Sequence, residues 1–498
     1  MPPAAFTGVR RAIRMLTGSK TPPAGIQYLN WGKDGFDPDL PHGYDVRDAL
    51  AEGQTIEERA TLVVELLTRL TPVTAAQSAE PSTNGAPAKS SGGKYLTPLE
   101  CTSWKVLRNQ WCKAMSWTEG LEMGLACGLA CIASTEVLGD QLWLKLISPP
   151  SSGKSTLCEA FSVNREYVLA KSAIRGFHTA YKTDKHGEED HSLTAEANGM
   201  TLVTKDGDTL LQAPDLPRIL SEARDLYDCT CRPDYRNGIK REYLNQRMTW
   251  LLCGTSALRV IDESELGARF LDVVIMEGID SELEDDILWR VANRTEKSVG
   301  VAVDGAPESH YDPELALAMR LTGGYIQFLR ERAAPLLAGV VCGEEQLRRC
   351  VDLAKFVAYL RARPSKRQAE SAERELASRL VSQMVRLAKC LAVVLNRTEV
   401  DEEVLHRVTQ VALDTARGRT LEIVKHLLQA GTKGYPTSRV SGLTGHPEGQ
   451  ERKYLNFLSK IGAVELFNPK LLSGVQGHPR WRVAPAMREL YQRVQEGS

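Results

Sequence analysis

The sequence predicts an α/β protein with a parallel sheet, a helical domain after the sheet and a small mixed domain at the C-terminus. Three observations predict this fold class. Between residues 148 and 278, apolar strand-like runs alternate with helical or loop segments, as a parallel sheet requires. From 313 to 430 nearly every segment has the apolar spacing of a helix. The last stretch runs helix, turn, helix and two strands.

Size and composition agree with a modular globular protein. At 498 residues and 55.0 kDa the chain exceeds what one hydrophobic core usually serves, so we expect about two to four domains. Hydrophobic residues at 42% and charged residues at 25% argue against a disordered or fibrous class. Lys and Arg total 62 against 63 Asp and Glu, so any contact with nucleic acid has to come from local basic clusters. The 11 scattered cysteines indicate reduced thiols rather than a zinc site.

The domain boundaries follow from changes in composition. A short strand-like run, a loop rich in Pro, Gly and Asp, and helical spacing from Glu57 to Leu70 suggest a small N-terminal α/β segment. A stretch of Ala, Ser, Pro and Gly without periodicity follows and predicts a flexible linker. The predicted parts are an N-terminal segment at 1–70, the linker at 71–94, a helical preface at 95–140, an α/β core at 141–300, a helical lid at 301–419 and a C-terminal domain at 420–498.

No segment predicts export or membrane insertion. Residues 1–21 are basic, but no apolar run follows that could serve as the core of a signal peptide. The longest apolar stretch, near 123–133, is shorter than the roughly 20 residues that a membrane helix needs. We therefore expect a cytoplasmic protein without membrane contact.

A glycine-lysine loop between a predicted strand and a predicted helix matches the Walker A pattern. Backbone N–H groups of such a loop face nucleotide phosphates, Lys154 reaches the terminal phosphates, and the Ser155 hydroxyl binds Mg²⁺. Ser148 stands where glycine is usual, which is tolerated only if this residue avoids a positive φ. The competing interpretation is a chance Gly-Lys-Ser at a helix start. The residues assigned to ATP are Ser151, Ser152, Gly153, Lys154, Ser155 and Thr156.

The next predicted strand-like run, MTLVTKD, ends at an acidic residue and a second acidic residue follows it, where a P-loop protein places its metal carboxylate. Asp206 is the predicted Walker B residue that holds Mg²⁺, and Asp208 is a second carboxylate that could polarise the attacking water. A solvated Asp-Gly turn is the alternative interpretation. Asp215 is an alternative position for the metal carboxylate.

Two further positions are candidates for catalysis. The apolar strand TWLLCG ends at Thr255, whose hydroxyl could sense the γ-phosphate. Arg269 precedes the strand-like run FLDVVIM, where an arginine could reach the phosphates of a neighbouring subunit. A surface ion pair is the other interpretation of Arg269.

The ordered motifs ISPPSSGKST, TLVTKDGDTLL, LLCGTSALRVID and LGARFLDVVI resemble those of phage and plasmid AAA+ ATPases of the primase-helicase type. They are more distantly similar to minichromosome-maintenance helicases, and the resemblance covers about residues 96–430. The order of elements in the last stretch predicts a C-terminal winged helix. The resemblance implies a P-loop AAA+ core with a helical lid and a flanking helical segment. It also implies a homo-oligomeric ring, expected to be a hexamer. The helix from Ala377 resembles a lid helix with a sensor arginine, which falls here on Arg379; an amphipathic helix with solvated arginines is the alternative.

The N-terminal run GKDGFDPDLPHGYDVRDAL is similar to the closing segment of Toprim domains in phage and plasmid primases. Asp34, Asp45 and Asp48 fall in or near this tail. The catalytic portion that normally precedes such a tail is missing, so we do not predict primer synthesis. A separate primase or replication protein is a possible partner.

Basic residues in two places are candidates for DNA contact. In the C-terminal domain, a candidate recognition helix is followed by basic residues around Trp481, which suits phosphate contact with stacking. Winged helices also dock on proteins, so this function stays open. A polar loop between the two Walker motifs could contact DNA in a pore. The candidates are Arg452, Lys453, Lys460 and Arg482 at the C-terminus and Lys182 and Lys185 in the loop.

Three functions are therefore expected, in this order. The first is an ATP-driven ring motor, a helicase or translocase in replication of a phage, plasmid or other mobile element. The second is a nucleotide-switched loader or regulator, including anti-phage defence, that binds DNA or a partner without unwinding. The third is a structural DNA-binding protein with a degenerate P-loop.

Overall fold

A computed structural model describes twelve ranges of the chain and divides it into two compact units, Met1–Ser91 and Gly92–Ser498. The division falls inside the predicted linker. In the first unit the strands Gln27–Leu29 and Leu70–Pro72 pair antiparallel. Leu70 therefore lies in a strand and not in the predicted helix, the rest of which lies outside the described residues. The described ranges are 27–29, 70–72, 95–135, 137–179, 190–235, 241–263, 269–276, 281–298, 311–361, 376–416, 418–469 and 478–495.

Two helices precede the sheet of the second unit, as predicted for the preface. Helix α1 spans Trp104–Ala114, and α2 spans Glu119–Ala133. Each begins at a hydroxyl N-cap, because Ser103 accepts from the Val106 N–H and Thr118 accepts from the Leu121 N–H. Helix α2 is buried along almost its whole length, which its apolar and small residues allow.

The core is a five-stranded, entirely parallel sheet with strand order β2-β3-β4-β1-β5. Four of the strands were predicted from their apolar runs, and the structure confirms them. Strand β2 was not predicted, since its run of four residues is half exposed and shows no clear pattern. Because all strands are parallel, the loops that follow them meet at one edge, here named the carboxyl edge. The strands are β1 Trp143–Ile147, β2 Val168–Lys171, β3 Met200–Thr204, β4 Met248–Gly254 and β5 Phe270–Val274.

Short helices and one hairpin connect these strands. The hairpin pairs Thr230–Cys231 with Tyr243–Leu244, and a 3₁₀ helix, Ser256–Glu263, follows β4. The connecting helices are α3 Lys154–Phe161, α4 Leu193–Glu196, α5 Asp208–Leu211 and α6 Leu216–Tyr227.

A helical domain follows the sheet, as the periodicity predicted. Its helix α11, Glu402–Ala416, covers the free edge of β5: the Thr415 hydroxyl accepts from the Asp272 N–H at 2.9 Å, and Asp414 accepts from the Val274 N–H at 2.7 Å. The edge strand is thereby paired and protected. The helices are α7 Ser281–Ser298, α8 Pro313–Gly339, α9 Glu344–Arg361, α10 Ser378–Val394 and α11 Glu402–Ala416.

The C-terminal part consists of helices and one antiparallel strand pair. The two predicted helices and the two predicted strands occur in the predicted order, and the structure adds a helix at Thr437–Thr444, where a turn was predicted, and another at Pro485–Gln495. Buried Glu451 accepts from Arg419 at 2.7 Å, and Arg493 contacts Asp352 of α9 at 2.7 Å, which fixes this part to the helical domain. None of the helices in the described ranges is both long and apolar enough to cross a membrane. The elements are α12 Arg419–Gln429, α13 Thr437–Thr444, α14 Glu448–Lys460, β6 Val464–Phe467, β7 Arg480–Val483 and α15 Pro485–Gln495.

Candidate functional site

The glycine-lysine loop leaves β1 at the carboxyl edge and enters α3. Two of its residues have left-handed backbone conformations, Ser151 with φ of 63° and Gly153 with φ of 86°. Gly153 is the N-cap of α3 and provides no side-chain cap. The first-turn N–H groups of the helix therefore lack an intrahelical acceptor. Such a loop at a helix N-terminus forms a concave array of donors for an anion.

Ser148, the departure from the usual glycine, is accommodated without backbone strain. It is not among the residues with positive φ, which satisfies the condition set from the sequence. Its N–H donates to the Gly254 carbonyl at 3.2 Å, and its hydroxyl accepts from Ser152 at 2.6 Å. Ser148 thus holds the loop against β4 and fixes its curvature.

The Lys154 ammonium lies at the centre of the site. Its Nζ donates to the Gly254 carbonyl at 2.7 Å and to the Ser148 carbonyl at 3.3 Å. Both acceptors are neutral, so the positive charge has no carboxylate partner among the described residues. A half-buried cation held only by carbonyl oxygens can turn to a phosphate without losing an ion pair.

The two candidate carboxylates differ in their surroundings. Asp206 is exposed after β3, and no described residue forms a hydrogen bond or ion pair with its carboxylate. Asp208 is half-buried and accepts from the Thr255 N–H at 3.0 Å and from the Thr255 hydroxyl at 3.2 Å. Asp208 therefore joins the loops after β3 and β4, whereas Asp206 is available to an external ligand.

Gly254 is a site residue that the sequence did not reveal. Its carbonyl accepts from both Ser148 and Lys154. A Cβ at this position would lie 2.9 Å from the Asp208 Oδ1 and 2.6 Å from the Leu258 Cδ1, so a side chain would displace one of them. A glycine at the end of an apolar strand was the only available signal, and it did not indicate which loop packs against it.

The site extends to the helices on either side. Glu159 of α3 pairs with Lys205 at 3.0 Å, which ties the helix after the loop to the residue before Asp206. Tyr311, just before α8, donates to the same carboxylate at 3.5 Å. On the other side Met115, at the end of α1, packs against Gly153: a Cβ added to Gly153 would lie 2.9 Å from the Met115 Cε. The loop therefore contacts the end of the preface helix α1, and the helix that follows the loop contacts the residues just before α8.

Arg269 does not have the exposure that a residue reaching into another subunit needs. It is only 6% exposed, and its guanidinium pairs with Asp228 at 3.0 Å beside the Tyr227 ring. Gln383 donates to its carbonyl at 2.8 Å. The structure therefore argues against the finger interpretation, because tertiary packing buries this side chain inside its own chain.

Arg379 lies at the wrong end of the sheet to contact phosphates in its own chain. Its guanidinium lies 5.6 Å from the centre of the Tyr227 ring, and that ring packs on Trp143, the first residue of β1. The glycine-lysine loop begins after the last residue of β1. A strand of five residues separates the two positions by about 16 Å, at roughly 3.3 Å per residue. Arg379 therefore lies near the start of β1 and not beside the loop that follows it, and its sensor role stays a prediction.

The candidate DNA contacts lie in the polar loop between the two Walker motifs, on helix α14 and on strand β7. Lys182 and Lys185 lie outside the described residues. Arg452, Lys453 and Lys460 are exposed on α14, and Arg452 pairs with Glu448 at 2.9 Å.

Two residues of β7 are less available than the sequence suggested. Arg482 pairs with Glu465 and lies 4.3 Å from the centre of the Phe467 ring. Trp481 is only 4% exposed and donates to Thr437, so stacking of a base on its ring is excluded by packing. Lys453 and Lys460 are therefore the best placed of the C-terminal candidates.

The site fits a metal that arrives with a nucleotide better than a metal held by protein alone. Among the described residues, no three His, Cys, Asp or Glu side chains come together as a metal site. Magnesium on a nucleotide needs only one or two protein oxygens, because phosphates and water supply the rest. Asp206 and the exposed Ser155 at the start of α3 offer such oxygens at the carboxyl edge.

Sequence comparisons did not identify relatives. No protein-family model matches the chain, and no curated protein matches it.

Proposed function

We propose that the protein is an ATP-hydrolysing motor of the AAA+ type with its P-loop at residues 148–156. One observation carries this proposal: Lys154 lies between the Ser148 and Gly254 carbonyls, beside a loop in which Ser151 and Gly153 have positive φ and which leads into the N-terminus of α3. Phosphate binding requires both a positive charge and an array of backbone donors. Both are present in one place.

The remaining site residues have complementary roles in this proposal. The loop and the first turn of α3, Ser151 to Thr156, bind the phosphates, and Lys154 neutralises the terminal ones. Asp206 and the Ser155 hydroxyl hold Mg²⁺, which neutralises charge that develops during phosphoryl transfer. Thr255 lies at the end of β4, where its hydroxyl can position the attacking water, and Asp208 fixes its orientation.

Removing each carboxylate separately distinguishes these roles. We expect Asp206→Asn to lower Mg²⁺-dependent hydrolysis by about 10² or more, because the metal loses its charged ligand. We expect Asp208→Asn to lower kcat by roughly tenfold with little change in KM, because it loosens Thr255 without touching the phosphates. Steady-state kinetics over a range of Mg²⁺ concentrations measures both.

The matched control is Asp215→Asn, which alters an exposed aspartate paired with Arg218 near the start of α6. This variant should keep wild-type kinetics. Full activity in Asp206→Asn together with loss in Asp215→Asn would assign the metal carboxylate to position 215 instead.

We also propose that the C-terminal part is a winged helix whose helix α14 contacts DNA. Lys453 and Lys460 are two helical turns apart, so they share one face, and neither forms an ion pair with a described residue. Exposed lysines without acidic partners can neutralise backbone phosphates. We further propose that the chains assemble into a homo-oligomeric ring. Measurement of the molar mass in solution in the presence of ATP tests this assembly.

DNA-dependent hydrolysis tests the motor function. We expect single-stranded and forked DNA to stimulate ATP hydrolysis, and the double variant Lys453→Ala/Lys460→Ala to need several-fold more DNA for half-maximal stimulation. In this variant the slope of the logarithm of the DNA-binding constant against the logarithm of the salt concentration should decrease by the amount that corresponds to up to two phosphate contacts. Arg452→Ala is the control on the same helix, and its effect should be smaller because Glu448 already pairs with that charge.

A second candidate function is a nucleotide-switched loader or regulator that does not unwind DNA. The burial of Arg269 favours this second function. If no neighbouring subunit supplies an arginine to the phosphates, ATP hydrolysis is expected to be slow. Slow hydrolysis that is indifferent to DNA, combined with tight ATP binding, would select this candidate over the motor.

A further inference from the structure

Two buried cysteines meet directly beneath the candidate nucleotide site. Cys158 lies on α3, the helix that follows the loop, and Cys253 lies in β4. Both are free thiols with no exposed surface, and the Cys158 thiol donates to the Cys253 sulfur at a distance of 3.1 Å. Among the described cysteines, this is the one pair whose sulfurs contact each other; Cys131, for example, donates to the Leu142 carbonyl.

The backbone around Cys253 holds the site together. The Cys253 carbonyl accepts from the Gly207 N–H at 2.6 Å, between the two candidate carboxylates Asp206 and Asp208. The next residue, Gly254, provides the carbonyl that holds Lys154. A change in the position of Cys253 is therefore transmitted to both halves of the site.

We propose that Cys158 and Cys253 are a redox-responsive pair whose oxidation to a disulfide locks α3 against β4 and slows nucleotide turnover. The oxidant is a hydroperoxide. One thiol loses its proton and attacks the peroxide oxygen, which breaks the O–O bond and gives a sulfenic acid and water or an alcohol. The second thiol displaces the hydroxyl group as water and forms the S–S bond. Two thiols are oxidised, and one peroxide is reduced.

The short distance between the two sulfurs favours disulfide formation, whereas the raised pKa of the Cys253 thiol slows it. A disulfide has an S–S length of about 2.05 Å, so the sulfurs need to approach by about 1 Å. The contact with the Cys158 thiol and burial raise the pKa of the Cys253 thiol well above its usual value, so its reactive thiolate is scarce. We expect slow oxidation that depends on local opening of the eight-residue helix α3.

Moving the two sulfurs about 1 Å closer would displace α3 and β4 enough to affect catalysis. Misplacement of reacting groups by about 1 Å can cost roughly 10²-fold in rate. The disulfide also prevents α3 from moving relative to β4. The effect on hydrolysis rests on the proposed function, whereas disulfide formation does not.

The test uses the full chain treated with hydrogen peroxide and then quenched. Intact mass measures the loss of two hydrogens, and peptide mapping without reduction identifies the linked cysteines. We expect a Cys158–Cys253 peptide and, in the same sample, ATP hydrolysis reduced by at least about tenfold and restored by dithiothreitol.

Variants separate this pair from the other thiols. Cys158→Ala should form no such disulfide, and its hydrolysis rate should be the same with and without peroxide. Cys253→Ala, which adds no volume at this buried position, serves the same purpose if the first variant is unstable. Cys131→Ala, which removes another buried thiol, should remain sensitive. Absence of the linked peptide after prolonged treatment would overturn the proposal even in a protein that hydrolyses ATP. A linked peptide without a change in hydrolysis would overturn the regulatory part, provided that the untreated protein is active.

Discussion

Lys154→Ala is expected to lower ATP hydrolysis by about 10² to 10³-fold, the effect of removing one group that stabilises transition-state charge. The reason is the position of the ammonium group. Among the described residues, its only hydrogen-bond partners are the Ser148 and Gly254 carbonyls, so it can turn to the terminal phosphates without breaking an ion pair. Steady-state hydrolysis at saturating ATP and Mg²⁺ measures the loss. The fold should be preserved, because the variant removes no ion pair at this site.

Lys171→Ala is the matched control. This lysine ends strand β2 at the same edge of the sheet, but Glu196 pairs with it at 2.7 Å. We expect wild-type hydrolysis in this variant. Equal losses in both variants would mean that general charge near the sheet matters rather than the loop lysine.

Lys145→Met is expected to destabilise the protein by about 3–5 kcal/mol, the cost of breaking a buried ion pair by removing one partner. Lys145 of β1 and Asp272 of β5 are register partners in the parallel sheet. Their charged atoms are 2.8 Å apart, with exposures of 0% and 2%. The variant leaves a buried carboxylate in the sheet, and Arg259, whose Nε is 3.7 Å from that carboxylate, replaces only part of the interaction. Equilibrium urea unfolding followed by tryptophan fluorescence measures the change.

Two controls test the cause of this loss. The double variant Lys145→Met/Asp272→Leu removes both charges and should recover most of the lost free energy of unfolding, because apolar pairs of similar volume often replace buried ion pairs without cost. Lys171→Met breaks an exposed pair and should change the free energy by about 0–1 kcal/mol. If the double variant is no more stable than Lys145→Met, the loss comes from packing volume and not from the uncompensated charge.

Local features of the sequence predicted the parts of the site that lie next to each other in the chain. The run before Ser148 is apolar and short, and Gly153 and Lys154 follow after a loop of five residues, so a strand, a loop and a helix start could be placed from neighbouring residues. The same holds for Asp206, two residues after the end of β3, and for Thr255, which directly follows β4.

Contacts between distant segments could not be predicted. Asp208 and Thr255 are 47 residues apart, and their contact depends on β3 and β4 being neighbours in the sheet. The burial of Arg269 depends in the same way on Asp228 and on Gln383 of a later helix. An arginine before a strand has the same local sequence whether packing buries it or leaves it exposed. Strand order and helix docking decide this, and neither has a local signal.

Equilibrium binding of Mg·ATP to the wild-type chain, measured by isothermal titration calorimetry, shows whether residues 148–156 hold nucleotide phosphates. We expect saturable binding of one nucleotide per chain with a Kd of about 1 μM to 1 mM, the range usual for substrates. ADP should compete, adenosine should not, and Lys154→Ala should weaken the binding strongly. Absence of saturable binding, or binding that is unchanged in Lys154→Ala, would contradict the assignment of residues 148–156 to nucleotide phosphates.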